Sequence, residues 1–267
     1  MQLSGQEELY TKMKVVILAG GFGTRLAELT EDIPKPMVAI GNQPIICHIM
    51  ERYAHYGFKD FVIALGYKAN VIKDYFYSRN VLGGDLVVDF EAGTIESNNR
   101  KNLDWRVTLV ETGLNTMTGG RLKRLLPYLG ENFMLTYGDG LADIDIGKLV
   151  SAHAKSGKLA TVTAVRPPAR FGELKIKENI VTEFAEKPQM DRGWISGGYF
   201  VLNKSVVKLI EGDETMFERE PLEQLSKAGE LNAFKHEGFW QCMDTKRDLE
   251  YLRELEKKAA PWVADRL

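Results

Sequence analysis

The chain has 267 residues and a formal charge of −2 at pH 7, with 44% hydrophobic and 27% charged residues. At ~100–200 residues per domain this allows one large domain or two small ones, and the composition excludes collagen, coiled coil and wholesale disorder. The near-neutral charge excludes electrostatic capture of nucleic acid or an anionic membrane by the protein as a whole.

Residues 1–12 (MQLSGQEELYTK) lack the basic start and apolar stretch of a signal peptide and read as a mobile extension or an early start. No apolar run approaches the ~20 residues of a membrane-spanning helix. The two cysteines, Cys47 and Cys242, form neither a disulfide framework nor a zinc motif. A soluble protein of the reducing cytoplasm is expected.

The first patterned segment, 14–19 (KVVILA), is a short β-branched run ending in glycines, the signature of a strand buried on both faces. Strands follow at Phe61–Leu65 and Phe133–Tyr137, each stopped by a glycine, with helices expected over Pro44–Tyr56, Ala69–Tyr77 and Gly120–Leu126. This alternation predicts an α/β fold of Rossmann-like kind, a mostly parallel mixed sheet flanked by helices. Beyond residue 150 the strands Leu159–Val165, Gly172–Ile176, Ile180–Ala185 and Trp194–Leu202 are separated by turns. They predict a smaller mixed or antiparallel lobe extending the first sheet. Helices are expected over Pro221–Lys227 and Lys246–Lys258, the latter carrying Leu249, Leu252 and Leu255 on one stripe. No repeat or linker divides the chain. The expectation is therefore one domain over 13–267, with lobes over about 13–150 and 151–245, a C-terminal helix over about 246–260, and a cleft beyond the C-terminal strand ends.

The first strand runs into Gly20-Gly21-Phe22-Gly23-Thr24-Arg25. Glycines let backbone N–H groups turn toward an anion and Arg25 adds a charged fork, so the loop is suited to phosphate. It is neither a P-loop nor a dinucleotide fingerprint, because the G-K-[ST] ending is absent and Leu26 stands where the third glycine would be. Ten residues on, Lys35 is held extended between Pro34 and Pro36 and offers a second phosphate cation. Asp139, between Gly138 and Gly140, projects at a strand end, where a hard divalent cation could meet one or two carboxylates plus phosphate oxygens. Thr118 is expected to cap a helix starting at Gly119, with Gly119 and Gly120 permitting ligand approach and Arg121 supplying donors.

The string L-A-G-G-F-G-T-R-L followed by K-P resembles the opening of the sugar-phosphate nucleotidyltransferases. Met117–Arg124, Tyr137-Gly138-Asp139-Gly140, Glu186-Lys187-Pro188 and Phe239–Thr245, in family order, resemble its glucose-1-phosphate cytidylyltransferase branch. The resemblance implies CTP and a sugar 1-phosphate as substrates, Mg²⁺ as cofactor held by Asp139 and Asp244, and a homo-oligomer, hexamer or tetramer. It further implies nucleotide contacts from Leu18, Ala19, Gly20, Gly21, Phe22, Gly23, Thr24, Arg25, Lys35 and Gly138, with the cytosine and ribose read by Thr116, Thr118, Gly119 and Arg121. Arg25, Lys35 and Lys187 would carry the catalytic charge, and Gly172, Glu186, Lys187 and Ser196 would bind the sugar phosphate. Two positions depart from the branch: Ser196 replaces a common asparagine, and Ile33 replaces a further lysine.

Other motifs carry less. Asp143-Ile144-Asp145 has the D-x-D form that glycosyltransferases use, but it precedes a helical segment and fits helix capping. His48, His55, His153 and His236 share no metal-ligand spacing, so structural or surface roles are expected. A nucleotide-binding regulatory subunit that has lost turnover is the non-enzyme alternative, although every charged position the reaction needs is filled.

Overall fold

The computed structural model describes residues 13–26, 30–98, 103–167, 173–185 and 193–263. Strand β1 (Val15–Leu18) is buried throughout. The hairpin β2 (Ala39–Ile40) and β3 (Gln43–Pro44) leads into α1 (Ile45–His55), β4 (Asp60–Leu65) and α2 (Ala69–Val81). A second hairpin, β5 (Asp85–Asp89) and β6 (Thr94–Asn98), precedes β7 (Arg106–Glu111) and the short helix α3 (Thr118–Arg124). Then come β8 (Asn132–Tyr137), β9 (Gly140–Ala142), α4 (Ile146–Ser156) and β10 (Ala160–Val165). A third hairpin, β11 (Glu173–Lys177) and β12 (Ile180–Ala185), is followed by β13 (Ile195–Asn203) and α5 (Glu220–Lys227). The chain ends in β14 (Leu231–His236), β15 (Trp240–Cys242) and α6 (Lys246–Lys258).

The central sheet has seven strands in the order β14-β10-β13-β8-β1-β4-β7. Strands β8, β1, β4 and β7 are parallel, whereas β13 runs antiparallel to both β8 and β10. The α/β reading of the sequence is borne out, and β10 and β13 extend the first sheet as expected, while β14, which the sequence reading did not mark as a strand, adds a further strand beside β10. The β11–β12 hairpin does not extend it. It pairs only with itself among the described residues, with Ile180, Val181 and Phe184 exposed. Periodicity marks a strand but does not name its partner, so the hairpin and a true sheet strand look alike in sequence.

Side chains alternate across the sheet. Ile17, Ile63, Met134 and Tyr199 face a core shared with Ile49 and Tyr53 of α1, Leu149 of α4 and Leu252 of α6. Val16, Val62, Leu135 and Phe200 face a second core with Leu122 of α3, Leu225 of α5 and Phe217, which precedes α5. Covering both faces leaves the strand ends as the open surface, and the C-terminal ends of β1, β4 and β8 lie side by side.

Helix termini are set locally. Asp145 caps α4 by accepting the Lys148 N–H at 2.8 Å, and Gly157 ends it with φ 61°. Thr245 and Asp248 form a reciprocal capping box at the start of α6. Helix α3 differs from expectation. It begins at Thr118, and Met117 at its N-cap position makes no side-chain capping bond.

Candidate active site

At the C-terminal end of the parallel strands lies a cavity of about 670 Å³. Its walls include Leu18 and Ala19 at the end of β1 and the Gly20, Gly21, Phe22, Gly23 and Thr24 loop. Lys35, Thr116, Thr118, Arg121, Gly138, Asp139 and Asp244 also line it. Thus most residues singled out in the sequence converge on one cleft, although they are spread over 227 positions from Leu18 to Asp244.

The loop is shaped for close approach. Gly23 sits at φ 66°, in the left-handed region that suits glycine, and its carbonyl accepts the Leu26 N–H at 2.9 Å to close a tight turn. Among the described residues, the N–H groups of Gly21, Phe22 and Gly23 meet no acceptor. Unpaired amides at the mouth of a cavity form a site for an anion. The side chain of Arg25 lies outside the described residues.

The acidic pair is brought together by a short β-bridge. Strand β9 pairs with β15 so that Gly140 faces Cys242, and the Met243 N–H donates to the Asp139 carbonyl at 2.9 Å. Asp139 and Asp244 are therefore near neighbours. Both carboxylates accept from one atom: Lys35 Nζ lies 2.6 Å from Asp139 Oδ2 and 2.7 Å from Asp244 Oδ1. Burial works against the Lys35 ammonium, but Asp139 and Asp244 outweigh it and hold its pKa above the ordinary lysine value. Cys242 lies beside them, its thiol pushed up to about 12 by burial and then by the Asp244 and Asp139 charges, so it stays protonated. Two carboxylates converging on one cationic centre are a donor set that fits a hard divalent ion completed by phosphate oxygens and water.

Arg121 departs from its expected part. It is 5% exposed, and its guanidinium donates to the carbonyls of Leu65, Gly113, Gly20 and Leu114 and to Thr112 Oγ. Rather than offering a free fork to a base, it binds the glycine loop to the ends of β4 and β7. Thr118 and the following glycines also differ. Thr118 Oγ accepts the Phe217 N–H at 2.9 Å and donates to Glu218 at 2.6 Å, so it anchors the 213–218 segment instead of capping its helix. Gly119 is packed against that segment, where a Cβ would stand 2.7 Å from the Thr215 carbonyl oxygen, so its missing side chain serves helix packing.

Ser196 sits on β13 opposite Ala164, outside the walls of the cavity, and accepts from the Gly198 N–H at 3.4 Å. Gly172, Glu186 and Lys187 lie outside the described residues. Asp145 is an N-cap, and Asp143 lies 2.9 Å from His236 Nε2, so the D-x-D string is engaged in structure. His48 and His153 are buried, consistent with structural roles. Among the described residues there is no cluster of three or more metal-ligating His, Cys, Asp or Glu. No described helix is long and apolar enough to cross a membrane.

Several site residues were not evident from sequence. Tyr137 lines the cavity and donates its hydroxyl to Glu218, tying β8 to the 213–218 segment. Asp248 accepts the Asp244 N–H at 3.1 Å and so fixes the backbone beneath one carboxylate. For Asp248 the signal was present as Thr245-x-x-Asp248 ahead of a helix; for Glu218 none exists.

A glycine loop after β1 facing two strand-end carboxylates is the arrangement of an enzyme acting on a nucleotide, and sequence relationships narrow the class. The family model described as nucleotidyl transferase matches residues 14–250, and the chain belongs to that family. It is 51% identical over 253 residues to glucose-1-phosphate cytidylyltransferase of Salmonella typhimurium, covering 94% of this chain and 98% of that protein. It is 44% identical over 239 residues to a probable glucose-1-phosphate cytidylyltransferase of Bacillus subtilis, covering 89% and 93%. Among solved structures it is similar to HddC from Yersinia pseudotuberculosis complexed with GMP-PN. The TM-score is 0.67 at 26% identity, covering 91% of this chain and 98% of that one.

Proposed function

We propose that this protein transfers the cytidylyl group of CTP to glucose 1-phosphate, giving CDP-glucose and pyrophosphate. The observation carrying this reading is the near full-length identity of 51% to the Salmonella typhimurium enzyme of that name. The convergence of the loop, Lys35, Asp139 and Asp244 on one cavity supports it. A phosphate oxygen of the sugar attacks the α-phosphorus of CTP in line. The bond from that phosphorus to the bridging oxygen breaks, and pyrophosphate leaves with the electron pair. The attacking oxygen is already anionic near neutral pH, so no general base is required.

The work left to the protein is alignment of two anions and cancellation of their repulsion. In this reading the backbone amides of the glycine loop, with Arg25 and Lys35, hold the triphosphate and the departing pyrophosphate. Thr116, Thr118 and Gly138 border the nucleoside, and Arg121 shapes its pocket. Gly172, Glu186, Lys187 and Ser196 hold the sugar phosphate in the lobe over 151–245. Asp139 and Asp244 would hold Mg²⁺, which when bound supplies positive charge to phosphate oxygens and orients them.

We place the enzyme in the cytoplasm as a homo-oligomer. The β5–β6 hairpin supports self-association, because it exposes Leu86, Val87, Val88, Phe90 and Ile95 to solvent. Light scattering that returns a monomer would remove that part of the reading. The principal test is Mg²⁺-dependent pyrophosphate release with CTP, UTP, dTTP, ATP and GTP against glucose 1-phosphate and other hexose 1-phosphates. Turnover confined to CTP with glucose 1-phosphate is expected. Preference for another base or sugar would overturn the specificity, and no pyrophosphate with any pair would overturn the activity.

A further inference from the structure

We propose that Lys35 is an internal counter-ion, whose ammonium holds the cation position between Asp139 and Asp244 until a divalent cation displaces it toward the triphosphate site. The inference rests on the reading of Asp139 and Asp244 as a metal-binding pair and goes beyond it by assigning Lys35 two positions. The first is observed: Nζ bridges both carboxylates at 2.6 and 2.7 Å, with the Lys35 side chain 12% exposed. One ammonium touching both acids offsets the repulsion that two adjacent carboxylates would otherwise suffer.

The second position follows from where the side chain is rooted. Lys35 opens a 3-10 turn over Lys35–Met37, between Pro34 and Pro36, and Pro36 packs on Gly138, where a Cβ would stand 2.8 Å from the proline ring. Its backbone is therefore held by two rings and a tight contact. Its Cβ lies beside the glycine loop, 3.3 Å from the point a Gly23 Cβ would occupy. From that root a four-carbon arm reaches the carboxylates in the observed rotamer and is long enough to reach the adjacent glycine loop in another. Only χ angles need change, so the backbone can stay where it is.

Two consequences separate this from a lysine that merely binds phosphate. A free divalent ion must compete with Lys35 for the acids, so the protein alone binds it weakly. A nucleotide that brings both a cation and phosphate oxygens gives the ammonium a new partner, so nucleotide and metal bind with positive coupling.

The test is Mn²⁺ binding without nucleotide, followed by the electron paramagnetic resonance signal of free Mn²⁺. It compares the wild type with Lys35→Met and with Lys35→Met/Asp139→Asn. Lys35→Met is expected to bind Mn²⁺ about tenfold or more tightly than the wild type, since a competing unit charge at contact distance is gone. The double variant is expected to lose that gain. Equal or weaker binding by Lys35→Met overturns the counter-ion role while leaving the metal pair standing. Failure of the wild type to bind Mn²⁺ even with CTP present overturns the metal pair itself. Should Lys35→Met not fold, acetylation of the wild type read by mass spectrometry decides. Mn²⁺ alone is expected to raise labelling of Lys35, and unchanged labelling at saturating Mn²⁺ refutes the displacement.

Discussion

Arg121 gives the most direct test of how the nucleotide pocket is built. Its guanidinium makes five hydrogen bonds, at 2.7 to 3.1 Å, to three separate pieces of chain: Gly20 after β1, Leu65 at the end of β4, and Thr112 to Leu114 after β7. No carboxylate pairs with it among the described residues, and burial, with nearby Arg124 second, depresses its pKa. Among the described residues the charge is thus met by four carbonyl dipoles and the Thr112 hydroxyl. Lysine has three donors on one atom and cannot reach all three segments, and methionine offers none. Hydrogen bonds from a charged donor are worth roughly 1.5–3 kcal/mol each, but the freed carbonyls recover some cavity water, so Arg121→Met should lose about 3–5 kcal/mol. At roughly 2–4 °C per kcal/mol for a chain of this size, Tm falls by about 10 °C. Thermal unfolding by circular dichroism, paired with CTP titration by calorimetry, measures both halves of the argument. Arg121→Lys should fall between the wild type and Arg121→Met in each. Weakened CTP binding at unchanged Tm would mean that Arg121 touches the nucleotide directly. Lost stability with intact CTP affinity would mean that the glycine loop does not depend on it.

Three further outcomes are expected. Asp139→Asn should lower kcat by about 10²-fold or more through lost charge at the reacting phosphates, measured by pyrophosphate release; near wild-type turnover would remove Asp139 from the chemistry. Asp248→Ala should lose about 1 kcal/mol of helix-cap stability and, because the Asp244 N–H loses its acceptor, ~10-fold or more in Mn²⁺ affinity. Unchanged Mn²⁺ affinity would limit Asp248 to capping. His153 is buried with Nδ1 2.9 Å from Thr161 Oγ, and burial lowers its pKa from the ordinary 6.5. The unfolded chain therefore takes up a proton that the native state resists, and stability falls as pH drops below about 6.5. Urea titrations of wild type and His153→Gln across this range should show a shallower decline in the variant; parallel curves would dissociate the decline from His153.

How much of this was legible in the sequence depended on the kind of signal. Strands β1, β4 and β8 are short apolar runs buried on both faces, and the ends of the latter two were readable because a glycine follows each directly. Helix α6 was readable over its whole length, since Leu249, Leu252 and Leu255 recur at helical spacing. The β5–β6 hairpin went unnoticed because it is not half-buried: Leu86, Val87 and Val88 are all exposed, so no alternation marks a face. In the site, the glycine loop and Asp139 stood out for their local chemistry. The direction of Arg121 did not, because a basic residue on a short helix reads the same whether it faces a ligand or a ring of carbonyls. The nearness of Asp244 to Asp139 was carried by resemblance alone. Its physical cause is a three-residue pairing of β9 with β15, too short to leave a pattern.

That pairing is one of several ties that make the charged centre rigid although its members are far apart in sequence. The Met243 N–H fixes the backbone of one acid to that of the other. Asp248 then binds Asp244 to the first turn of α6, so the second acid inherits the position of a whole helix. Helix α6 in turn docks on the hairpin that follows Lys35: Arg253 donates to the Ala39 carbonyl at 3.1 Å, and Gly41 passes so close that a Cβ would stand 2.6 Å from the Glu256 carboxyl carbon. The path from Asp139 through Asp244 and α6 back to the segment of Lys35 is thus closed by hydrogen bonds and packing. Two carboxylates repel, and a scaffold able to relax would let them separate. With the backbone tied in this way, the repulsion is met by a cation, the Lys35 ammonium that bridges both acids.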